Sequence, residues 1–413
     1  MEKILSPLEI NRLMEQIRAQ GCQQSISLSD SADLQQSLEI FTSRWAETYT
    51  RFEQNPAGEL AYRDIILYFT ENVLPKLRKH LSENRADRHA VTCIENMLYP
   101  VDAVRNRSRF LPLKRHRYRK FADMPKHFVC PEFDRPIFIV SAPRAGSTLL
   151  FETLSGFEDV WTIGQESHDI ETDIPYLHPA AHKYESNRVT DATPEIAELV
   201  RRWFAAQLKN RENIFYTDAG EEERPGAVRF LEKTPKNALR IPFLKKVFPD
   251  ALFIFLYRDP RENISSMLEG WRSRRFLAYR DMPGWPYREW RFLLPPGWQT
   301  LAERPLAEIA AYQWTAANQH ILEDVKALPQ KQWCFVTYND LVEHPGETIR
   351  HISGFAGLKE DRNTMISGTL PLSSMVLSPP SRDKWRRHEA EIMAALHLTE
   401  PVVQQIRDVK FPS

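Results

Sequence analysis

Cysteine is scarce in this chain of 413 residues. There are four, Cys22, Cys93, Cys130 and Cys334, far apart and with no C-x-x-C pair. That spacing argues against a disulfide framework or a thiolate zinc site and suits a reducing, cytoplasmic setting. Neither sign of charge is in excess, with 55 Lys and Arg against 55 Asp and Glu. No global field therefore points to nucleic acid or to a lipid surface, and any anion site has to be local. No apolar run approaches the roughly 18 residues of a membrane-spanning helix. The first residues, MEKILSPLEINRLMEQ, mix charged and apolar side chains and do not read as a signal peptide. Internal repeats and low-complexity tracts are absent too. The length suffices for one large domain or two moderate ones.

Residues 1–125 read as a helical region. Ser6-Pro7-Leu8-Glu9 is a capping box with proline at the first helical position, and Gly21 suits the helix end. Leu34, Leu38, Phe41, Trp45, Tyr49 and Phe52 recur at helical spacing, and Ile65–Leu77 is a further apolar stretch. The basic segment Arg107–Phe121 suits either a solvated linker or an anionic partner.

After Pro136 the pattern changes. Four short β-rich runs are expected as strands: Ile137–Val140, Val228–Leu231, Ala251–Tyr257 and Gln332–Thr337. Helices are expected between them at Thr148–Leu154, Pro194–Leu208 with Thr193 as cap, Ala238–Val247, Pro260–Gly270 and Leu306–Val325. Such alternation predicts an α/β fold, a parallel sheet covered by helices on both faces. Ligands then bind beyond the carboxyl ends of the strands.

Two of those ends are basic. The segment IFIVSAPRAGSTLL (Ile137–Leu150) runs from a strand through a turn into a helix. A helix N-terminus exposes backbone N–H groups and the positive end of the helix dipole, which together favour an anion. Gly146 allows close backbone approach, Ser147 and Thr148 add hydroxyls, and Arg144 adds a fork of N–H donors. The ATP/GTP loop G-x-x-x-x-G-K-[ST] is not met, because Gly146 stands where its lysine would be. At the end of the run ALFIFLY, Arg258 opens RDPRENISSM, and Ser266 follows about two helical turns later. Two anion sites at neighbouring strand ends suggest a nucleotide with phosphates on both sides of its ribose.

The pair resembles the sulfotransferases that use 3′-phosphoadenosine-5′-phosphosulfate (PAPS), in the P-loop form of the bacterial and tyrosylprotein enzymes. SAPRAGSTLL is similar to their 5′-phosphosulfate loop and YRDPRENISSM to their 3′-phosphate segment. LEKTPKN (Leu231–Asn237) is similar to their lysine-bearing strand end. VTYNDLVEHPGETIRHISGFAGL (Val336–Leu358) resembles a Tyr-x-Asp-Leu segment, and DKWRRHEAEI (Asp383–Ile392) a closing Lys-Trp segment. One departure is Ala145, which replaces the usual serine after the arginine and removes a hydroxyl while leaving the backbone cradle.

The resemblance implies a P-loop sulfotransferase domain at 126–413 and sulfuryl transfer from PAPS to an acceptor hydroxyl or amine, with no metal required. It places the 5′-phosphosulfate on Arg144, Ala145, Gly146, Ser147 and Thr148, and the 3′-phosphate on Arg258 and Ser266. Lys233 would neutralise charge on the leaving phosphate, with Lys236 as a supporting residue. Tyr338, Lys384 and Arg386 are further nucleotide contacts, each also readable as ordinary packing or helix-end charge. For the base, Glu166 matches the family's glutamate after a glycine with a slip of one residue. His168, two residues on, has the better ordinary pKa for neutral solution. Gly270–Trp298 carries four tryptophans and six arginines. It reads as too polar and proline-rich for plain core, hence as a lid (about 270–305) over the acceptor site or a folded surface insertion. The expected acceptor is a small or carrier-tethered molecule, with no nucleic-acid partner. Two rivals stay open. One is a P-loop small-molecule kinase using ATP, opposed by the missing loop lysine. The other is a non-catalytic nucleotide-binding protein on the same fold, opposed by the intact Lys233.

Overall fold

The computed structural model describes residues 130–220, 224–273, 275–287, 289–359, 370–377 and 383–408. The helices expected within 1–125 and the basic segment Arg107–Phe121 lie outside these residues. All elements named below belong to the unit made of residues 115–373 and 379–413.

The strands are β1 (Glu132–Phe133), β2 (Ile137–Val140), β3 (Val160–Trp161), β4 (Ala227–Glu232), β5 (Leu252–Tyr257), β6 (Leu277–Arg280), β7 (Glu289–Arg291) and β8 (Trp333–Thr337). The helices are α1 (Ser147–Leu154), α2 (Ile170–Asp173), α3 (Pro194–Gln207), α4 (Ile241–Val247), α5 (Pro260–Arg272), α6 (Leu306–Lys326), α7 (Tyr338–Glu343), α8 (Pro345–Ala356), α9 (Glu389–Ala395) and α10 (Glu400–Asp408). The fold is α/β. A parallel sheet runs in the order β1-β4-β2-β5-β8, with β3 also on β4, while β6 and β7 form a separate antiparallel ribbon.

Both faces of the sheet are covered, and the strand sequences say why. Successive side chains point to opposite faces. Ile137 and Ile139 enter one core with Leu252, Ile254 and Leu256, packed against α1 and α8. Phe138 and Val140 enter the other with Phe230, Phe253 and Phe255, packed against α3, α4, α5 and α6. Such strands are apolar at every position, which is the pattern of a sheet buried on both sides.

Helix starts follow local chemistry. Thr193 Oγ1 accepts the Ile196 N–H at 3.3 Å above Pro194. Asp259 Oδ1 accepts the Arg261 N–H at 2.9 Å above Pro260. The helix expected from Ala238 starts later, at Ile241, after a short 3₁₀ turn at Pro235–Leu239. Pro242 has no N–H to give to that turn, so the chain breaks and restarts.

The aromatic segment departs from its reading as too polar for core. Trp271, Trp285, Trp290 and Trp298 are all buried in the larger core. Trp285 and Trp298 pack edge-on against Trp290 at 4.7 and 5.7 Å between ring centres. Their indole N–H groups find acceptors inside: Gln313 Oε1, Glu289 O, Leu293 O and Tyr184 O. Satisfied donors are what let so many tryptophans be buried. Among the described residues no helix is long and apolar enough to cross a membrane.

Candidate active site

In the sheet register, Phe138 lies opposite Glu232, Val140 opposite Phe255 and Tyr257 opposite Thr337. The carboxyl ends therefore step forward by two residues from β4 to β2 and by two more from β2 to β5, which ends level with β8. The residues that follow them, Lys233, the loop 141–146, Arg258 and Tyr338, meet along one edge.

The loop after β2 is shaped by two left-handed residues, Arg144 at φ 66° and Gly146 at φ 102°. Gly146 caps α1 and offers no side chain to its first N–H groups, which stay available to a ligand. A second constraint acts at the same residue. A Cβ there would stand 2.4 Å from Cδ2 of Tyr338. Tyr338 is thus packed onto the loop. Ala145 is fully buried.

Cations gather around this loop. The Arg258 guanidinium donates to the Arg144 carbonyl at 3.3 Å, lies 4.0 Å over the Tyr338 ring and pairs with Glu262 at 3.1 Å. Arg144 lies 4.6 Å from the centre of the Phe276 ring. Burial, then the charges of Arg275 and Arg258, lowers the Arg144 guanidinium to about 10. Lys384 Nζ pairs with Glu269 at 2.7 Å. Burial lowers its pKa, Glu269 opposes that, and Arg258 and Arg144 add to the lowering. Glu262 and Glu269 balance part of this charge, and an anion at the loop would balance more. Helix α5 is tied to the loop by Asn263, whose Nδ2 donates to the Pro143 carbonyl at 2.7 Å. Ser265 and Ser266 are buried on the same helix, and the Ser265 hydroxyl has no hydrogen-bond partner among the described residues.

Beside this pocket stands a chain of titratable groups. Lys233, 4 % exposed, donates to Thr148 Oγ1 at 3.0 Å and forms an ion pair with Glu166 Oε1. The other Glu166 oxygen meets His168 Nε2 at 2.7 Å. Burial by itself would raise the Glu166 carboxyl, but the Lys233 ammonium, and then His168, hold it well below the usual carboxylate range. The two candidate bases are therefore hydrogen-bonded partners, and both are linked through Lys233 to the loop.

A model of the family described as "Sulfotransferase family" matches residues 136–362, more than half of the chain. The chain belongs to the sulfotransferase family. Protein-tyrosine sulfotransferase A of Caenorhabditis elegans is 25% identical over 229 residues, covering 54% of this chain and 50% of that protein. A putative protein-tyrosine sulfotransferase of Caenorhabditis briggsae is 24% identical over 227 residues, covering 55% of this chain and 67% of its own. The match to the C. elegans protein thus spans about half of that relative's length. Among solved structures, the sulfotransferase domain from the curacin biosynthetic pathway has a TM-score of 0.37 at 16% identity, covering 68% of this chain and all of that one. Sulfotransferase STF9 from Mycobacterium avium has a TM-score of 0.36 at 14% identity, covering 77% of this chain and 91% of that one.

In this member of the sulfotransferase family, most expected site residues meet at the sheet edge: Arg144 to Thr148, Glu166, His168, Lys233, Arg258, Tyr338 and Lys384, while Ser266 is buried further along α5. Arg386 does not join them. It is exposed and pairs locally with Asp383 at 3.0 Å and Glu389 at 3.2 Å, while its neighbour Lys384 turns inward. Lys236 is a buried support. Its Nζ meets Glu171 at 2.6 Å, Arg240 meets the same carboxylate at 2.6 Å, and the Tyr279 hydroxyl completes the cluster at 3.0 Å. Burial lowers Lys236 to about 8, with Arg240 adding to the effect and Glu171 opposing it. Sequence reading missed Arg275, Phe276, Asn263 and Glu232. Arg275 sits in an arginine-rich stretch that gave no spacing to follow. Asn263, which lies between Arg258 and Ser266 in the quoted segment, was within reach of the motif.

Proposed function

We propose that this chain transfers a sulfuryl group from PAPS to a hydroxyl or amine of an acceptor. The observation that carries the reading is the meeting of Arg144 and Arg258, with Lys384 and Arg275 close by, one strand away from the Lys233–Glu166–His168 chain. The residues fit the donor's chemistry. Two guanidinium groups, an open helix N-terminus and two hydroxyls suit phosphate oxygens. When bound, the nucleotide supplies a sulfuryl group already activated on a phosphate.

In this reading Arg144, Gly146, Ser147 and Thr148 hold the 5′ end, while Arg258 and Ser266 hold the 3′-phosphate. Tyr338 fixes Arg258 against the loop. Lys233, shared between Thr148 and Glu166, is placed to neutralise charge on the oxygen that departs. The acceptor's proton passes to the Glu166–His168 pair. Glu166 held by Lys233 is a weak base, so His168 takes the proton on the ring and Glu166 stabilises the resulting charge. As with phosphoryl transfer, the protein's contribution is position and electrostatics. The segment of about 270–305 contributes to the donor site through Arg275 and Phe276.

The test uses ³⁵S-labelled PAPS and an extract of the host as acceptor source. Transfer of label without Mg²⁺, lost in Arg144→Ala and Lys233→Ala while both variants keep their melting temperature, is the expected result. Preference for Mg-ATP, or label transfer that survives both changes, would refute it.

A further inference from the structure

The turn that carries Lys233 holds a second carboxylate, which the reaction above does not use. Glu232 is the last residue of β4 and is fully buried. Burial pushes its pKa up, against the Thr234 and Ser167 hydroxyls that favour the charged form. Its Oε1 accepts from Thr234 Oγ1 at 2.5 Å and from Ser167 Oγ at 2.8 Å. Its Oε2 accepts from the Asn237 amide. Thr234 Oγ1 accepts in turn from the Ser167 N–H at 2.8 Å. Ser167 Oγ also lies 3.0 Å from Thr234 Oγ1, with either hydroxyl able to donate, so both oxygens of Glu232 are engaged in one closed polar cluster.

The positions of these residues along the chain matter. Ser167 turns inward and is buried, while Glu166 and His168 on either side of it meet each other at 2.7 Å. Glu232 and Thr234 turn to the same cluster, while Lys233 between them meets Glu166 and Thr148. Two segments 65 residues apart, one bearing the base pair and the other the lysine, are thus fastened together at one carboxylate.

We propose that Glu232 is a positioning residue for sulfuryl transfer: it clamps the 166–168 loop to the end of β4 so that Glu166 and His168 stay in register with Lys233. The assignment rests on the roles given above to Lys233, Glu166 and His168. A buried carboxylate is a costly way to join two segments unless all its oxygens are bonded, and here the bonds go to the neighbours of the reacting groups.

The test compares Glu232→Ala, Glu232→Gln and Ser167→Ala with the wild type, using three readouts. The His168 ring signal in ¹³C-histidine-labelled protein reports its contact with Glu166, calibrated by Glu166→Gln. Calorimetry with 3′-phosphoadenosine 5′-phosphate (PAP) reports the donor pocket. The initial rate with ³⁵S-PAPS and host extract reports transfer. Glu232→Ala and Ser167→Ala are expected to move the His168 signal in the direction of Glu166→Gln. They are expected to lower the rate at saturating PAPS about tenfold or more, with half-saturating PAPS and PAP affinity within about twofold. Glu232→Gln keeps one oxygen for the hydroxyls and is expected to recover most of the rate. If Glu232→Ala does not fold, Ser167→Ala decides alone. An unmoved His168 signal in the folded variants, or PAP affinity falling in step with the rate, overturns the clamp. A moved signal in a protein whose wild type transfers no label upholds the clamp and refutes the transfer reading instead.

Discussion

Replacing Gly146 by alanine puts a methyl group where the fold has no room. Two costs add. The residue sits at φ 102°, and an L side chain enters such a left-handed conformation at about 1–2 kcal/mol. The methyl would also stand 2.4 Å from Cδ2 and 2.7 Å from Cε2 of Tyr338, so the ring must move. That ring lies under the Arg258 guanidinium at 4.0 Å, and Arg258 is bonded to the Arg144 carbonyl. Overfilling a packed site costs about 1–3 kcal/mol. The sum is roughly 2–5 kcal/mol, and if half of it falls on the donor pocket, affinity drops about 5- to 70-fold. Calorimetric titration of PAP measures it, with melting temperature followed in parallel. Tyr338→Ala in the same chain removes the collision and leaves the conformational cost, so the double variant should recover part of the heat of binding. A Gly146→Ala protein that binds PAP with wild-type affinity and melts at the wild-type temperature would refute this reasoning.

Other expectations follow from charge. Lys233 opposes the effect of burial on Glu166, so Lys233→Ala should raise the Glu166 carboxyl, read from the pH dependence of its carboxyl signal in ¹³C-glutamate-labelled protein. Burial works to raise the Glu171 carboxyl, but Arg240 and Lys236 together outweigh burial and hold the carboxyl at about 2 against an ordinary 4.5. Its contribution to stability is therefore complete above pH 4.5 and lost as the pH falls toward 2, a loss visible in acid melting curves and absent in Glu171→Gln. At neutral pH Glu171→Gln leaves Lys236 and Arg240 without their anion, and urea titration should show a loss of about 3–5 kcal/mol. Arg386→Ala should leave PAP affinity within about twofold, since exposed local ion pairs carry little energy.

The parts of the site legible in the sequence are those that sit directly on a strand end. Ile137–Val140 and Leu252–Tyr257 are apolar at every position, so the points where Arg144 and Arg258 interrupt the pattern stand out. β1 and β3 have two residues each and leave no periodic trace. The Glu232 clamp was not legible for another reason. Ser167, Thr234 and Asn237 are ordinary polar residues in sequence, and only folding brings the first beside the other two. The tryptophan segment misled because its polarity was counted by residue. What decides burial is whether each indole N–H finds an acceptor, and those acceptors come from as far as Tyr184 and Gln313. Sequence spacing shows Glu166 and His168 only as two residues apart along the chain, and the hydrogen bond that joins them comes with the fold.

The central claim is that one doubly phosphorylated adenosine is held at both ends by Arg144 and Arg258. It is tested most directly by measuring, for the wild type and for Arg258→Ala, the affinity for PAP and for adenosine 5′-phosphate, which lacks the 3′ group. The account predicts that the wild type prefers PAP, that Arg258→Ala erases that preference while adenosine 5′-phosphate binds as before, and that Arg144→Ala weakens both. A preference for PAP that survives Arg258→Ala unchanged would contradict it.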